Sequence, residues 1–208
     1  MSGTSGYLPF YGLPPLVATD TNVNTIFVAP NGLNNGWANT NGDDVTFLRQ
    51  AIATVEADAC VDTDLRFSTG FSYGGAMSYA LACSMGREIR AVAALSGSPQ
   101  ISGCAGGTEA VAYYGEHGTG DTVLPISGGR QMRDRFLKNN GCGGEVKEGA
   151  EPVKGGNGRV KTVYAGCEKD KPVVWVAFDG PHTPTPKEMG ANETWVPGET
   201  WEFFKQFK

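Results

Sequence analysis

The 208-residue sequence lacks any stretch of about 18 apolar residues, so no segment is long enough to cross a bilayer as a helix, and no membrane partner is expected. Its first residues, Met1-Ser2-Gly3-Thr4-Ser5-Gly6, carry neither a basic region nor an apolar core, so the chain as it stands shows no export signal. A basic run is missing too. Against 22 Asp and Glu stand 17 Lys and Arg, for a net charge of -5, and nothing tracks a phosphate backbone, which argues against nucleic acid as a partner. The five cysteines, Cys60, Cys83, Cys104, Cys142 and Cys167, form no C-x-x-C pair, and neither histidine lies beside one, so no metal site is expected. Disulfides are the better use for them. The odd count leaves one thiol over, either a free buried cysteine or one whose partner belongs to a missing segment.

What is abundant is glycine, 30 residues, about twice the usual share, with no collagen period to absorb it. Hydrophobic residues at 40% and charged ones at 19% describe one globular domain over residues 1–208. Short β-rich runs alternate with helical patterns, the signature of a wound α/β sheet. Strands are expected at residues 25–29, 65–69, 91–95, 110–114, 160–165 and 173–178. Helices are expected from Asp43 or Asp44 to about Cys60, and over residues 76–83, 129–139 and 199–207. The glycine-rich segment 142–158 reads as a surface excursion bounded by two cysteines.

Gly70-Phe71-Ser72-Tyr73-Gly74 matches G-x-S-x-G. So many glycines would produce such a match by accident about one time in five, but this one falls between an expected strand and an expected helix, where a nucleophile elbow must sit. A serine hydroxyl needs a base, and the chain offers His117 or His182. Elbow hydrolases run in the order Ser, acid, His. For His117 the acid would have to be Glu88, Glu109 or Glu116, none in a loop of its own after a strand, and a surface or core role suits this histidine better. His182 follows the last strand through Asp179-Gly180-Pro181, at the carboxyl edge of the sheet where ligands gather. Asp121, on the loop after the 110–114 strand, fits the acid, with Asp179 as the alternative. The acids between Ser72 and His182 show no spacing that selects a glycosidase pair, and the glycines form no G-x-G-x-x-G.

The stretch Gly70-Phe71-Ser72-Tyr73-Gly74-Gly75-Ala76-Met77-Ser78 resembles the elbow of secreted fungal feruloyl esterases of the B type. The resemblance extends through Pro30-Asn31-Gly32, Asn35-Gly36-Trp37-Ala38-Asn39-Thr40-Asn41-Gly42, residues 113–118, Gly128-Gly129-Arg130-Gln131, Asn139-Asn140-Gly141-Cys142 and Phe178-Asp179-Gly180-Pro181-His182-Thr183-Pro184. It implies an α/β-hydrolase-type, mostly parallel sheet flanked by helices, and a secreted serine esterase without a cofactor. Its substrates would be feruloylated arabinoxylan of plant cell walls or small hydroxycinnamate esters. It implies Ser72 as nucleophile, Asp121 as acid, His182 as base and the Tyr73 N–H as an oxyanion donor. Trp37, Tyr73 and Trp195 are the aromatics expected to stack the feruloyl ring. Disulfides are expected between Cys83 and Cys104 and between Cys142 and Cys167, with Cys60 alone, and Asn192-Glu193-Thr194 is a glycosylation acceptor.

Family members carry a signal peptide, strands and a second oxyanion loop ahead of anything like Tyr11-Gly12-Leu13-Pro14. The chain is therefore expected to be N-terminally incomplete and to lack the family's first strands. Losing one oxyanion donor costs about 10² to 10³ in turnover, so a weakened or non-catalytic relative is the rival expectation. An acetylxylan or polyhydroxybutyrate esterase on the same scaffold is another.

Overall fold

A computed structural model describes residues 13, 24–143, 151–184 and 195–207. Its centre is a five-stranded sheet built from β1 (Phe67–Phe71), β2 (Ala91–Leu95), β3 (Ala112–Gly118), β4 (Arg159–Val163) and β5 (Val173–Phe178). The order is β1-β2-β3-β5-β4, parallel throughout except for the antiparallel β4–β5 pair at one edge. The helices are α1 (Asp43–Asp58), α2 (Tyr73–Ser84), α3 (Pro99–Ser102), α4 (Ile126–Asn139) and α5 (Val196–Lys205).

Side chains alternate across each strand, and the two faces bury different partners. Val92, Ala94, Tyr113, Val173 and Trp175 pack with α1, α2 and α4, whereas Ala91, Ala93, Leu95, Tyr114, Val174 and Val176 pack with Val196, Phe203 and Phe204 of α5. Parallel strands covered on both faces read as nearly continuous apolar runs, which is why residues 91–95 and 173–178 stand out in the sequence. Helix α2 is apolar all round and buried from Gly74 to Cys83, as a helix inside the core must be.

Other expected boundaries shift, for identifiable reasons. Strand β1 runs two residues beyond the expected 65–69, because Gly70 extends the strand instead of turning it. A Cβ on Gly75 would sit 2.7 Å from the Leu95 carbonyl oxygen and 3.0 Å from that of Gly70, so the missing side chain at Gly75 lets α2 lie directly on the strand backbones. Strand β3 starts two residues late and continues through His117 to Gly118, absorbing most of the loop expected before Asp121. The strand expected at residues 25–29 is not formed. Ile26, Phe27 and Val28 are exposed, and residues 24–30 pair with no strand of the described sheet, whose edge on that side is β1. An apolar run specifies a strand only where a neighbour supplies hydrogen bonds and cover.

Disulfides join Cys83 to Cys104 and Cys142 to Cys167. The first ties the end of α2 to the segment just after α3 and the second ties the segment just after α4 to the β4–β5 connection, over sequence separations of 21 and 25 residues, each worth about 3 kcal/mol in the chain-entropy account. Cys60 is free, and it is exposed rather than a buried thiol. The Asn192 acceptor lies outside the described residues.

One buried group makes stability depend on pH. The Glu116 side chain is fully buried on the α5 side of β3, with the Tyr114 hydroxyl 3.3 Å from Oε2. Burial pushes its carboxyl from 4.5 up to about 8, against the opposing hydrogen bond from Tyr114. The folded chain therefore keeps a proton that the unfolded chain releases between about pH 4.5 and 8, so stability is greatest on the acid side and falls as pH rises through that window. Glu116→Gln, which stays neutral, is expected to stabilise the fold by about 3 kcal/mol at pH 8 and much less at pH 5. Thermal melts at the two pH values check this, the expected gain at pH 8 being roughly 5–10 °C.

Candidate active site

Ser72 stands between the last residue of β1 and the first of α2. Its backbone is at φ 56°, ψ -114°, a conformation that costs a non-glycine residue about 1–3 kcal/mol. Two backbone bonds hold it there: the Ser72 N–H donates to the Leu95 carbonyl at 2.9 Å, and the Ser72 carbonyl accepts from the Ala76 N–H at 3.0 Å. The turn thus projects the hydroxyl beyond the carboxyl edge of the sheet, at the N-terminus of α2, where unpaired N–H groups favour negative charge.

The loops after β3 and β5 are laced together. The Thr119 N–H donates to the Phe178 carbonyl at 2.8 Å and the Gly120 N–H to the Gly180 carbonyl at 2.9 Å. Gly118 permits this approach, since a Cβ there would lie 2.3 Å from the Pro181 carbonyl oxygen. The lacing brings Asp121 and His182, 61 residues apart in sequence, to 2.7 Å between Oδ2 and Nδ1. The Ser72 Oγ lies 2.9 Å from His182 Nε2. With Nδ1–H donating to the carboxylate, Nε2 is bare and accepts the hydrogen bond of the serine hydroxyl. Phe71 packs against the imidazole with ring centroids 4.9 Å apart.

Asp121 is buried, which by itself would raise its carboxyl. Hydrogen bonds from His182 and from the Leu124 and Val123 N–H groups outweigh that and hold it below the usual aspartate value. An ionised acid beside His182 is what an imidazole needs to hold one tautomer and tolerate a positive charge. Asp179 does not compete for this place. Its Oδ2 accepts the Asn157 N–H at 3.1 Å, so it fastens a turn.

The expected aromatic platforms fare unequally. Trp37 is fully buried, stacked with Phe47 in the core beneath α1, and a ring with no exposed face cannot receive a substrate. Trp195 is half-buried, set edge-on against Phe178, with the Arg159 guanidinium 4.8 Å from its ring centroid. Tyr73 is the exposed aromatic beside Ser72, its ring lying over Gly36. His117 belongs neither to the surface nor to a satisfied core. It is completely buried, and its Nε2 lies 3.0 Å from Asp121 Oδ2. The four-residue step from His117 to Asp121 across the end of β3 is the signal that could have found it. Among the described residues no group of three or more His, Cys, Asp or Glu could hold a metal ion, and no helix is long and apolar enough to cross a membrane.

A mostly parallel sheet with helices on both faces, delivering a serine through a strained strand-to-helix turn to an imidazole, defines the α/β-hydrolase class of protein. A thermostable esterase of known crystal structure shares the fold, with a TM-score of 0.53 at 13% identity, over 86% of this chain and 42% of that one. No family model matches the chain. It is 52% identical over 205 residues to feruloyl esterase D of Neurospora crassa, and 48% identical over 196 residues to feruloyl esterase C of Emericella nidulans. These alignments take in 97% and 94% of this chain and 68% of each relative. The chain belongs to the fungal feruloyl esterase family.

Proposed function

We propose that this chain is a B-type feruloyl esterase, a serine hydrolase acting on hydroxycinnamoyl esters, with feruloylated plant cell-wall arabinoxylan as the polymeric substrate. The reading is carried by one observation, the unbroken chain of hydrogen bonds from Ser72 Oγ through His182 to Asp121 at 2.9 and 2.7 Å. Ser72 Oγ attacks the ester carbonyl while His182 Nε2 takes its proton. The carbonyl oxygen becomes an oxyanion facing the Tyr73 N–H at the first position of α2, where the helix dipole adds to the hydrogen bond. His182 then protonates the leaving alcohol, and water activated by the same imidazole releases the acid from the acyl-enzyme. Asp121 holds the ring in place and offsets its transient charge. The exposed Tyr73 ring, beside the nucleophile, supports recognition of an aromatic acyl group by stacking. Two disulfides, together with the resemblance to secreted esterases, support a secreted protein.

A fluorophosphonate probe is expected to modify Ser72, located by peptide mapping, and methyl ferulate is expected to be cleaved faster than acetylated xylan or long-chain acyl esters. Modification of another serine would sink the nucleophile assignment. Preference for acetyl or long acyl groups would sink the choice of acyl group and leave the chemistry standing.

A further inference from the structure

We infer that His117 is a positioning residue for the reaction at Ser72: its Nε2–H donates to Asp121 Oδ2, the same oxygen that accepts Nδ1–H of His182. This rests on the triad reading above. The direction of the bond follows from a third group. His117 Nε2 also lies 2.7 Å from the Leu124 carbonyl oxygen, which can only accept, so the proton must be on Nε2 and is shared between the carbonyl and the carboxylate. Nδ1 is buried with no hydrogen-bond partner. A proton there would be desolvated and unbonded, and burial accordingly pushes the His117 imidazole below its ordinary value, which Leu124 and Asp121 only partly offset. The ring is held as a neutral, single-tautomer donor.

Its surroundings fix its position. It is stacked near Trp175 with centroids 6.4 Å apart, and a Cβ on Gly129 of α4 would lie 2.5 Å from Nδ1, so the ring fills the space between β3 and the first turn of that helix. The charged or titratable groups about it are Asp121 and His182 on the loops and, from α4, Arg133, whose guanidinium carbon is 5.3 Å from the Trp175 centroid and which pairs with Asp134. Glu116, its neighbour on β3, lies on the opposite face.

Asp121 therefore has a division of labour. Oδ1 accepts the Val123 and Leu124 N–H groups, each at 2.8 Å, and fixes the loop, while Oδ2 accepts two imidazoles. The second donor on Oδ2 aims its remaining lone pair at His182 and draws off part of its charge. Without that donor the carboxylate is freer to turn, and the oxygen facing His182 carries more charge and holds an imidazolium more tightly.

Two variants separate this from packing. In His117→Gln the amide nitrogen reaches the place of Nε2 and restores the donor, whereas in His117→Asn it stops one atom short. With concentrations set by fluorophosphonate titration of Ser72, His117→Asn is expected to lose about tenfold in kcat/KM, and its acidic limb is expected to move up by roughly half a unit to one unit. His117→Gln is expected to stay within about threefold of the parent with the limb unmoved. Equal behaviour of the two variants, whether both lose activity or both keep it, overturns the proposal. Nitrogen-15 spectra of the imidazoles provide a second readout, since the chain has only two histidines. The His117 ring is expected to show a protonated Nε2 and a bare Nδ1 from pH 5 to 8, and the reverse tautomer would also overturn the proposal. Failure of the parent to label at Ser72 would instead defeat the triad reading, leaving the spectra to decide the His117–Asp121 bond alone.

Discussion

Ser72→Ala is expected to lower kcat for methyl ferulate by about a million-fold while leaving the fold intact. The substitution removes one oxygen atom, the one 2.9 Å from His182 Nε2. Alanine tolerates φ 56° no better than serine, and the two backbone bonds that hold the turn, to Leu95 and from Ala76, do not use the side chain. The melting temperature should therefore move by no more than a few degrees, and ligand affinity, measured with a non-hydrolysable ferulamide, should persist. What remains, on the mechanism proposed above, is the rate supplied by the oxyanion donor and by substrate positioning, which does not depend on the hydroxyl. Retention of a tenth of the parent turnover, in protein free of parental enzyme, would remove Ser72 from the reaction.

Asp121→Asn is expected to cost about 10⁴ in kcat, with a loss of stability as well. All the hydrogen-bond sites used on this carboxylate are acceptors: Oδ1 takes two backbone N–H groups and Oδ2 takes two imidazoles. An amide supplies one acceptor and one donor, so it fits neither way round. With its oxygen toward Val123 and Leu124, its NH₂ faces the Nε2–H of His117 and forces His182 to accept on Nδ1, which puts the imidazole proton on Nε2, facing Ser72, where a base is required. With the amide reversed, the NH₂ faces two backbone N–H groups in a buried place, each left without an acceptor. Kinetics at pH 6–9, paired with a denaturation curve, test both halves. A variant that kept more than about a tenth of parental kcat would show that His182 does not depend on this carboxylate.

Much of this site could be inferred before any coordinates, because its chemistry restricts both residue type and order. A hydroxyl in a glycine-flanked turn needs a base, the chain has two histidines, and only His182 comes after an acid that has a loop of its own behind a strand. The same reasoning settled on Asp121 while leaving Asp179 open, and the choice between them depends on where each carboxylate points. Asp179 is nearer to His182 in sequence, yet its side chain turns to the Asn157 N–H. Trp37 and residues 25–29 illustrate the opposite error. A short apolar run suggests a strand and an aromatic near the sheet edge a stacking surface, but Trp37 is drawn into the core under α1 and Ile26, Phe27 and Val28 are left exposed.

Local sequence determined the elements that are self-contained: the elbow, where Gly75 permits a close strand-to-helix turn, and the central strands, whose unbroken apolar runs announce cover on both faces. Only the tertiary structure decided how far β3 runs, that Trp37 is buried, and that a second imidazole shares the carboxylate of Asp121. The physical reason is range. Turn geometry and side-chain period are set by neighbours a few residues away, whereas burial and hydrogen-bond direction depend on groups delivered from far along the chain, as His182 is to Asp121 over 61 positions and as Trp175 is to His117, whose own four-residue step to Asp121 is local.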